Sequence, residues 1–339
     1  MNLKHRRRET YYLIFFLGLF LCCFFYSFAV GQYPVSIGDL LHILWAQVFD
    51  IPVTWSHQAE VVVLNIRLPR VIAAALIGAS LSTAGICFQG MFQNPMVSPD
   101  VLGASAGAGF GAALGILLGW SYMTITTGSF VTGLLAVFLV QGISQFVRQN
   151  QVLGLILGGI MVGSLFSSGT SFIKLVADPN DTLPAITYWL MGSLASISMH
   201  DLTFAIIPII LGFIPILLLS WKMNILTLGE EEAQAIGVNT KATRFIVTIC
   251  ATLITSASVS ISGMIGWVGL VIPHFVRMMI GCDYRVTIPA SMLLGGSFLI
   301  VVDNFSRTLS TSEIPLGILT SFVGAPFFLY LMIQEGKKT

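Results

Sequence analysis

The five histidines, His5, His42, His57, His200 and His274, lie far apart, and no H-E-x-x-H or Cys/His ligand spacing joins them. Metal-assisted chemistry is therefore not written into the chain. No G-x-x-x-x-G-K-[ST] run is present, so ATP has no phosphate-cradling loop here. Cys22, Cys23, Cys87, Cys250 and Cys282 lie in or at the end of apolar runs, and no disulfide framework is suggested. What remains is recognition chemistry. Arg67, Arg70 and Arg307 carry planar guanidinium forks that pair bidentately with carboxylates. Glu230, Glu231 and Glu232 form a short acidic run with Ala233, Ala235 and Ile236 behind it, bounded by Gly229 and Gly237. Gly163, Ser164, Ser167, Ser168 and Ser171 set small and hydroxyl-bearing side chains along one stretch of helix length.

The elements that must hold these residues follow from composition. The chain has 339 residues, 55% hydrophobic and only 9% charged. A soluble domain carries about 25% charged residues. A soluble enzyme, a nucleic-acid binder and a disordered protein are all excluded, and a net charge of +1 recruits no nucleic acid. The apolar content suffices for roughly ten membrane helices of ~20 residues. Residues 11–30 are uncharged and follow a basic start, but the run is longer than a signal-peptide core and no A-x-A-like site closes it. It reads as a first membrane helix.

Charge-free stretches recur at 11–30, 71–88, 101–147, 149–173, 202–221, 245–276, 286–302 and 314–334. The stretch 101–147 holds two helices, breaking at Gly119-Trp120-Ser121-Tyr122. The stretch 245–276 is resolved by charge, because cytoplasmic loops collect Lys and Arg. If it crosses twice, turning near Gly263–Gly266, the basic groups at 4–8, Arg148, Lys222/Lys241/Arg244, Arg277/Arg285 and Lys337/Lys338 all lie inside. The reading is an all-α polytopic membrane protein of about ten spans, with both termini in the cytoplasm.

Four basic residues, Arg67, Arg70, Lys174 and Arg307, then fall outside. They are either snorkelling anchors at the interface or a surface that meets an acidic partner. The outer segment 31–68 has a helix start at Ser36-Ile-Gly-Asp39, and the inner segment 222–244 has capping-box spacing between Thr227 and Glu230 with a stop at Gly237. Ser98-Pro99-Asp100 reads as another helix start. Asp100, Lys174, Asp303 and Glu313 all sit near helix ends, so no mid-membrane acid supports an ion-coupled secondary transporter. Gly103, Gly107, Gly111 and Gly115, with Gly154/Gly158 and Gly159/Gly163, have the four-residue spacing of close helix packing. The serines of 151–174 either line a water-filled path or bond back onto their own helix.

Four ordered motifs then carry a resemblance over essentially the whole chain. They are RLPRVIAAALIGASLSTAGICFQGMFQNPMVSPDVLGASAGAGFGA (67–112), GEEEAQAIGV (229–238), GMIGWVGLVIPHFVRMMIGCDYRVTIP (263–289) and IPLGILTSFVGAPFFLYLM (314–332). The sequence resembles the permease family of ATP-driven importers for ferric siderophores, haem and cobalamin. The resemblance implies one permease domain spanning 1–339 in the bacterial inner membrane, paired with a second copy around a central path. It implies two ATPase subunits docked inside and a substrate-binding protein docked outside, with ATP and Mg held by the ATPases and no cofactor on this chain. By position, Arg67, Arg70 and Arg307 match outward arginines that receive acidic residues of the binding protein. Residues 229–238 match the coupling helix that sits in a groove of the ATPase. The helix at 151–174, with Gly163, Ser164, Ser167, Ser168 and Ser171, matches the one lining the path. The cargo implied is a metal chelate, and an oxyanion such as molybdate or tungstate stands as the alternative. An ion-coupled transporter is the rival of a different class.

Overall fold

The computed structural model describes residues 3–47, 49, 52–146 and 151–336. Arg148, Lys337 and Lys338 lie outside the described residues. The described chain is helical, with no strand among the described residues. Helices α1 (Leu3–Ala29), α2 (Ile37–Ala46) and α3 (His57–Val61) precede a π turn at Val62–Arg67, which runs directly into α4 (Leu68–Met91). After a 3-10 turn at Pro99–Leu102 come α5 (Ala104–Leu117), α6 (Tyr122–Ser144), α7 (Gln151–Val176), α8 (Thr182–Leu190) and α9 (Met199–Leu226). The chain closes with α10 (Glu230–Ala235), α11 (Thr240–Ser262), α12 (Val268–Ile280), α13 (Tyr284–Thr308) and α14 (Leu316–Gly336).

Seven helical stretches are long and apolar enough to cross a membrane, among them His57–Met91 with 35 residues. Three further spans expected from the sequence are shorter apolar helices, at Ala104–Leu117, Val268–Ile280 and Leu316–Tyr330. At 1.5 Å per residue, the 13 residues of α12 cover only about 20 Å, less than a hydrocarbon core of about 30 Å.

Helix α4 is the central post. Most of its apolar window is buried, whereas little of α1 is, and α1 turns Ile14, Phe15, Leu21 and Phe25 outward as a lipid-facing helix would. Close approach sets the post in place. A Cβ on Gly85 would overlap the Gly269 carbonyl oxygen of α12, and one on Gly78 would overlap the Gly295 carbonyl oxygen of α13. Only glycine lets these backbones touch. Helix α11, also mostly buried, satisfies its polar groups locally: Thr252, Thr255, Ser258 and Ser262 each donate to the carbonyl four residues back.

Several local expectations change. The outer segment does contain a helix, α2, whose Ser36 hydroxyl accepts from the Asp39 N–H. Its last part, however, is helical from His57 and continuous with α4, so the helix anticipated at 71–88 begins 14 residues earlier. Thr227 does not cap α10. Its hydroxyl donates to the Asn224 carbonyl at the end of α9, and Gly229, at φ +125°, precedes the first helical residue. Ser98 does cap, but it starts a 3-10 turn that Gly103 ends at φ +77° before α5 begins. Helix α8 was not anticipated. The break in 245–276 falls at Gly263–Trp267, with positive φ at Gly263 and at Trp267. Trp267 is held there by an Nε1–H donated to Ser321 Oγ at 3.1 Å.

Candidate functional site

A cavity of about 700 Å³ runs along α7. Gly163, Ser164, Ser167 and Ser171 line it, facing Gly103, Ser105 and Gly109 of the Gly103–α5 segment and Leu190, Met264 and Gly266. Ser168, the fifth residue expected on the path, is exposed but is not part of this lining. Thr170 and Ser171 donate back to Phe166 and Ser167 carbonyls, leaving lone pairs toward the cavity. Ser171 thus bonds back onto its own helix while lining the cavity, since a hydroxyl so bonded still presents an acceptor to water. A second cavity of about 640 Å³ shares Leu190, Met264 and Gly266 and continues to Gly317 and Ser321 of α14. The Gly263–Trp267 break is therefore in the wall of both, a role the sequence reading had not given it.

The charged residues in the lining of the first cavity are Asp100 and Lys174. Asp100 accepts from the Ser98 hydroxyl at 3.1 Å and from the Ser105 hydroxyl. Lys174 lies in the last turn of α7, half-buried.

At one end of the molecule the three arginines come together, but not as exposed docking points. Arg67, Arg70 and Arg307 are 3%, 4% and 6% exposed. Arg67 donates to the Phe28 carbonyl at 2.6 Å and to the Tyr33 carbonyl, closing the end of α1 onto the π turn. Gly31 makes room for it, since a Cβ there would meet Arg67 Nη2 at 2.6 Å. Arg70 pairs with Asp303 at 2.8 Å and with Glu313 at 2.7 Å. Arg307 donates to the Ser27 carbonyl at 2.7 Å and to Asn304, with Asp303 at 3.6 Å. The sequence reading had these arginines facing outward toward a partner's carboxylates; the structure holds all three buried, bonded to internal acids and carbonyls, with Arg70 Nη2 and Arg307 Nε left without a hydrogen-bond partner. The acids Asp303 and Glu313 were missed as partners, although Asp303 and Arg307 stand one helical turn apart in sequence.

Beyond Glu313 the chain reaches the lining of the second cavity four residues on, at Gly317. The Leu316 N–H donates to the Gly192 carbonyl at 2.8 Å and the Gly317 N–H to the Met191 carbonyl at 3.0 Å.

The opposite end carries α10. The 25 residues of α13 place the two ends about 37 Å apart, and at the far end Asn224 of α9 bonds Asp283 and the Tyr284 N–H at 2.8 Å each. Ala233 is fully buried against Ile225 and Val238, so it anchors α10 to its own chain and is not available to a partner groove, contrary to expectation. Glu230 is exposed, yet it accepts from Thr240 and pairs with Arg244 at 3.4 Å, which ties it to its own chain. Glu231, Glu232, Ala235, Ile236 and Gly237 are exposed, and Leu228, which the sequence reading passed over, adds an apolar side chain 61% exposed. Gly237, at φ +87°, follows the last turn and stops it.

Residues 19–334 match the FecCD transport family. The chain belongs to that family. Among curated FecCD relatives, the molybdate import permease MolB of Haemophilus influenzae is 38% identical over 308 residues, covering 91% of each chain. The cobalamin import permease BtuC of Halobacterium salinarum is 39% identical over 285 residues, covering 84% of this chain and 75% of that one. A solved structure of an ABC transporter assigned to the metal-chelate type, in an inward-facing conformation, superposes with a TM-score of 0.85 at 35% identity. The match covers 95% of this chain and 98% of that one. This FecCD chain is a multi-pass membrane permease of the ABC importer kind, a subunit class that is not itself an enzyme.

Proposed function

We propose that the chain is the membrane subunit of a binding-protein-dependent importer of the bacterial inner membrane. Two copies form the path, and two partner ATPases with Mg-ATP drive it. The carrying observation is the hydroxyl-lined cavity along α7, joined at Met264 and Gly266 to the second cavity against α14. The distribution of Lys and Arg supports placing α10 in the cytoplasm and the arginine cluster outside. In that frame the exposed Leu228, Ala235 and Ile236 are what an ATPase groove takes up, and ATP-driven closure moves α10 with α9 and α11 as a lever. The arginine cluster braces the outer surface on which the binding protein sits, rather than offering its forks to it. The cargo class is a metal chelate or an oxyanion, since relatives are named for both.

The test is co-expression with candidate ATPase and binding-protein partners, co-purification, and ATP-dependent uptake into proteoliposomes. Uptake that needs all three components supports the reading. A permease that moves cargo without an ATPase, driven by an ion gradient, overturns it.

A further inference from the structure

The cavity along α7 is electrically polar from end to end. Lys174 stands in its wall at one end and Asp100 at the other, and the rest of the lining is uncharged. Gly159, packed on Val101 beside Asp100, precedes Lys174 by 15 residues of one helix, or about 22 Å. That exceeds the distance over which salt screens charges at physiological ionic strength, about 8 Å, so the two ends act separately. Lys174 has no ion-pair or hydrogen-bond partner among the described residues, whereas Asp100 is held by two hydroxyls. Asp178 and Asp181 follow in the loop, but neither pairs with Lys174, and the Asp178 carboxylate accepts from the Asn180 N–H. Ser164 and Ser167 continue the wall inward from Lys174.

Resting on the importer reading, we propose that this cavity passes an anionic cargo, an oxyanion or a negatively charged chelate, and that Lys174 is the residue that selects for negative charge at the outer mouth. An anion meets an unpaired ammonium first, then hydroxyls that hydrogen-bond without holding it tightly. It leaves past a carboxylate that repels it toward the cytoplasm. A cation faces the reverse sequence and is rejected at the mouth.

The experiment reads the potential in the cavity directly. Cys22, Cys23 and Cys282 are replaced by Ser, the buried Cys87 and Cys250 are kept, and Ser171→Cys, in the cavity wall three residues from Lys174, is introduced into the permease–ATPase complex in nanodiscs. Its reaction rates with an anionic (sulfonatoethyl) and a cationic (trimethylammonioethyl) methanethiosulfonate are compared with those of a free thiol. The anionic-to-cationic ratio is expected to fall on the order of ten-fold in Lys174→Gln, to fall further in Lys174→Glu and to be kept in Lys174→Arg. A ratio indifferent to residue 174 overturns the proposal. So does failure of the Ser171→Cys thiol to react with either reagent while an exposed control thiol does. In proteoliposomes with binding protein and ATPase, molybdate and an anionic ferric chelate as separate probes tell the two cargo sources apart. Uptake of neutral cobalamin alone, unaffected by Lys174→Gln, also overturns it. Absence of all ATP-driven uptake would sink the importer reading, while the thiol ratio still decides the charge of the cavity.

Discussion

Arg70 and Glu313 hold each other at 2.7 Å although 243 positions separate them in the chain, and the same guanidinium binds Asp303 at 2.8 Å. The second contact matters more for stability, because Asp303 is fully buried and Glu313 keeps 30% of its side chain exposed. Asp303→Ala should cost about 3–5 kcal/mol, since it removes the fully buried carboxylate that faces both arginines. Glu313→Gln should cost about 1 kcal/mol, since the amide oxygen still accepts. Apparent Tm of the detergent-purified protein checks the order. Equal losses would show that the cluster is wetter than its burial implies.

Helix contact through glycine gives a second expectation. Gly85→Ala pushes a methyl into the Gly269 carbonyl and should destabilise by about 1–3 kcal/mol or more, because neither backbone can yield. Gly142→Ala, with nothing within 4 Å, should be neutral. Yield of monodisperse protein and apparent Tm measure both. A harmless Gly85→Ala would mean that α4 and α12 are not packed at this point.

At the end that carries α10, burial divides the helix into residues that build it and residues that present it. Ile236→Asp or Ala235→Arg should dissociate or uncouple the ATPase while the permease stays folded, because buried anchors dominate interfaces. Ala233→Arg should fail differently, by detaching α10 from Ile225 and Val238. Glu231→Gln should be nearly silent, since exposed ion pairs contribute about 0–1 kcal/mol. Co-purification and vesicle uptake for each variant settle the point; a crippling Glu231→Gln beside harmless Ile236→Asp would make the contact electrostatic.

The Asp283 tether predicts an absence of pH dependence near neutrality. Its carboxyl is held at about 2, chiefly by the Arg285 side chain, with Asn224 and the Arg285 N–H adding to this against burial. A folded value below the unfolded one contributes stability that is complete above about pH 5 and lost progressively as pH falls from there through the folded value of about 2. The Tm difference between wild type and Asp283→Ala should therefore be the same at pH 5.5 and 8. A difference that shrinks already at pH 5.5 would mean that burial, not the Arg285 side chain, sets the carboxyl.

The longer spans were legible because each is an apolar run with charge at its ends, and the Gly263–Gly266 turn because only two crossings keep the basic clusters together. The π turn was not, because Val61 to Ile66 mixes apolar residues with Asn65 and ends at Arg67, which reads as a loop approaching a helix. The fate of the arginines was hidden by distance: Arg70 finds its acids on α13 and beyond, and Arg67 finds carbonyls, which sequence never marks. Ala233 shows the same gap, since a six-residue helix gives no periodicity to separate an inner face from an outer one.

Between Glu313 and Leu316 lie three residue steps, which can reach at most about 10 Å. One end is gripped by Arg70, and the other is bonded through the Leu316 and Gly317 amides to the carbonyls of Gly192 and Met191. The Arg70–Asp303–Glu313 cluster is thus joined by one short loop to backbone bonds beside Gly317 of the second cavity's lining, so residues remote from that cavity in sequence are neighbours of its wall.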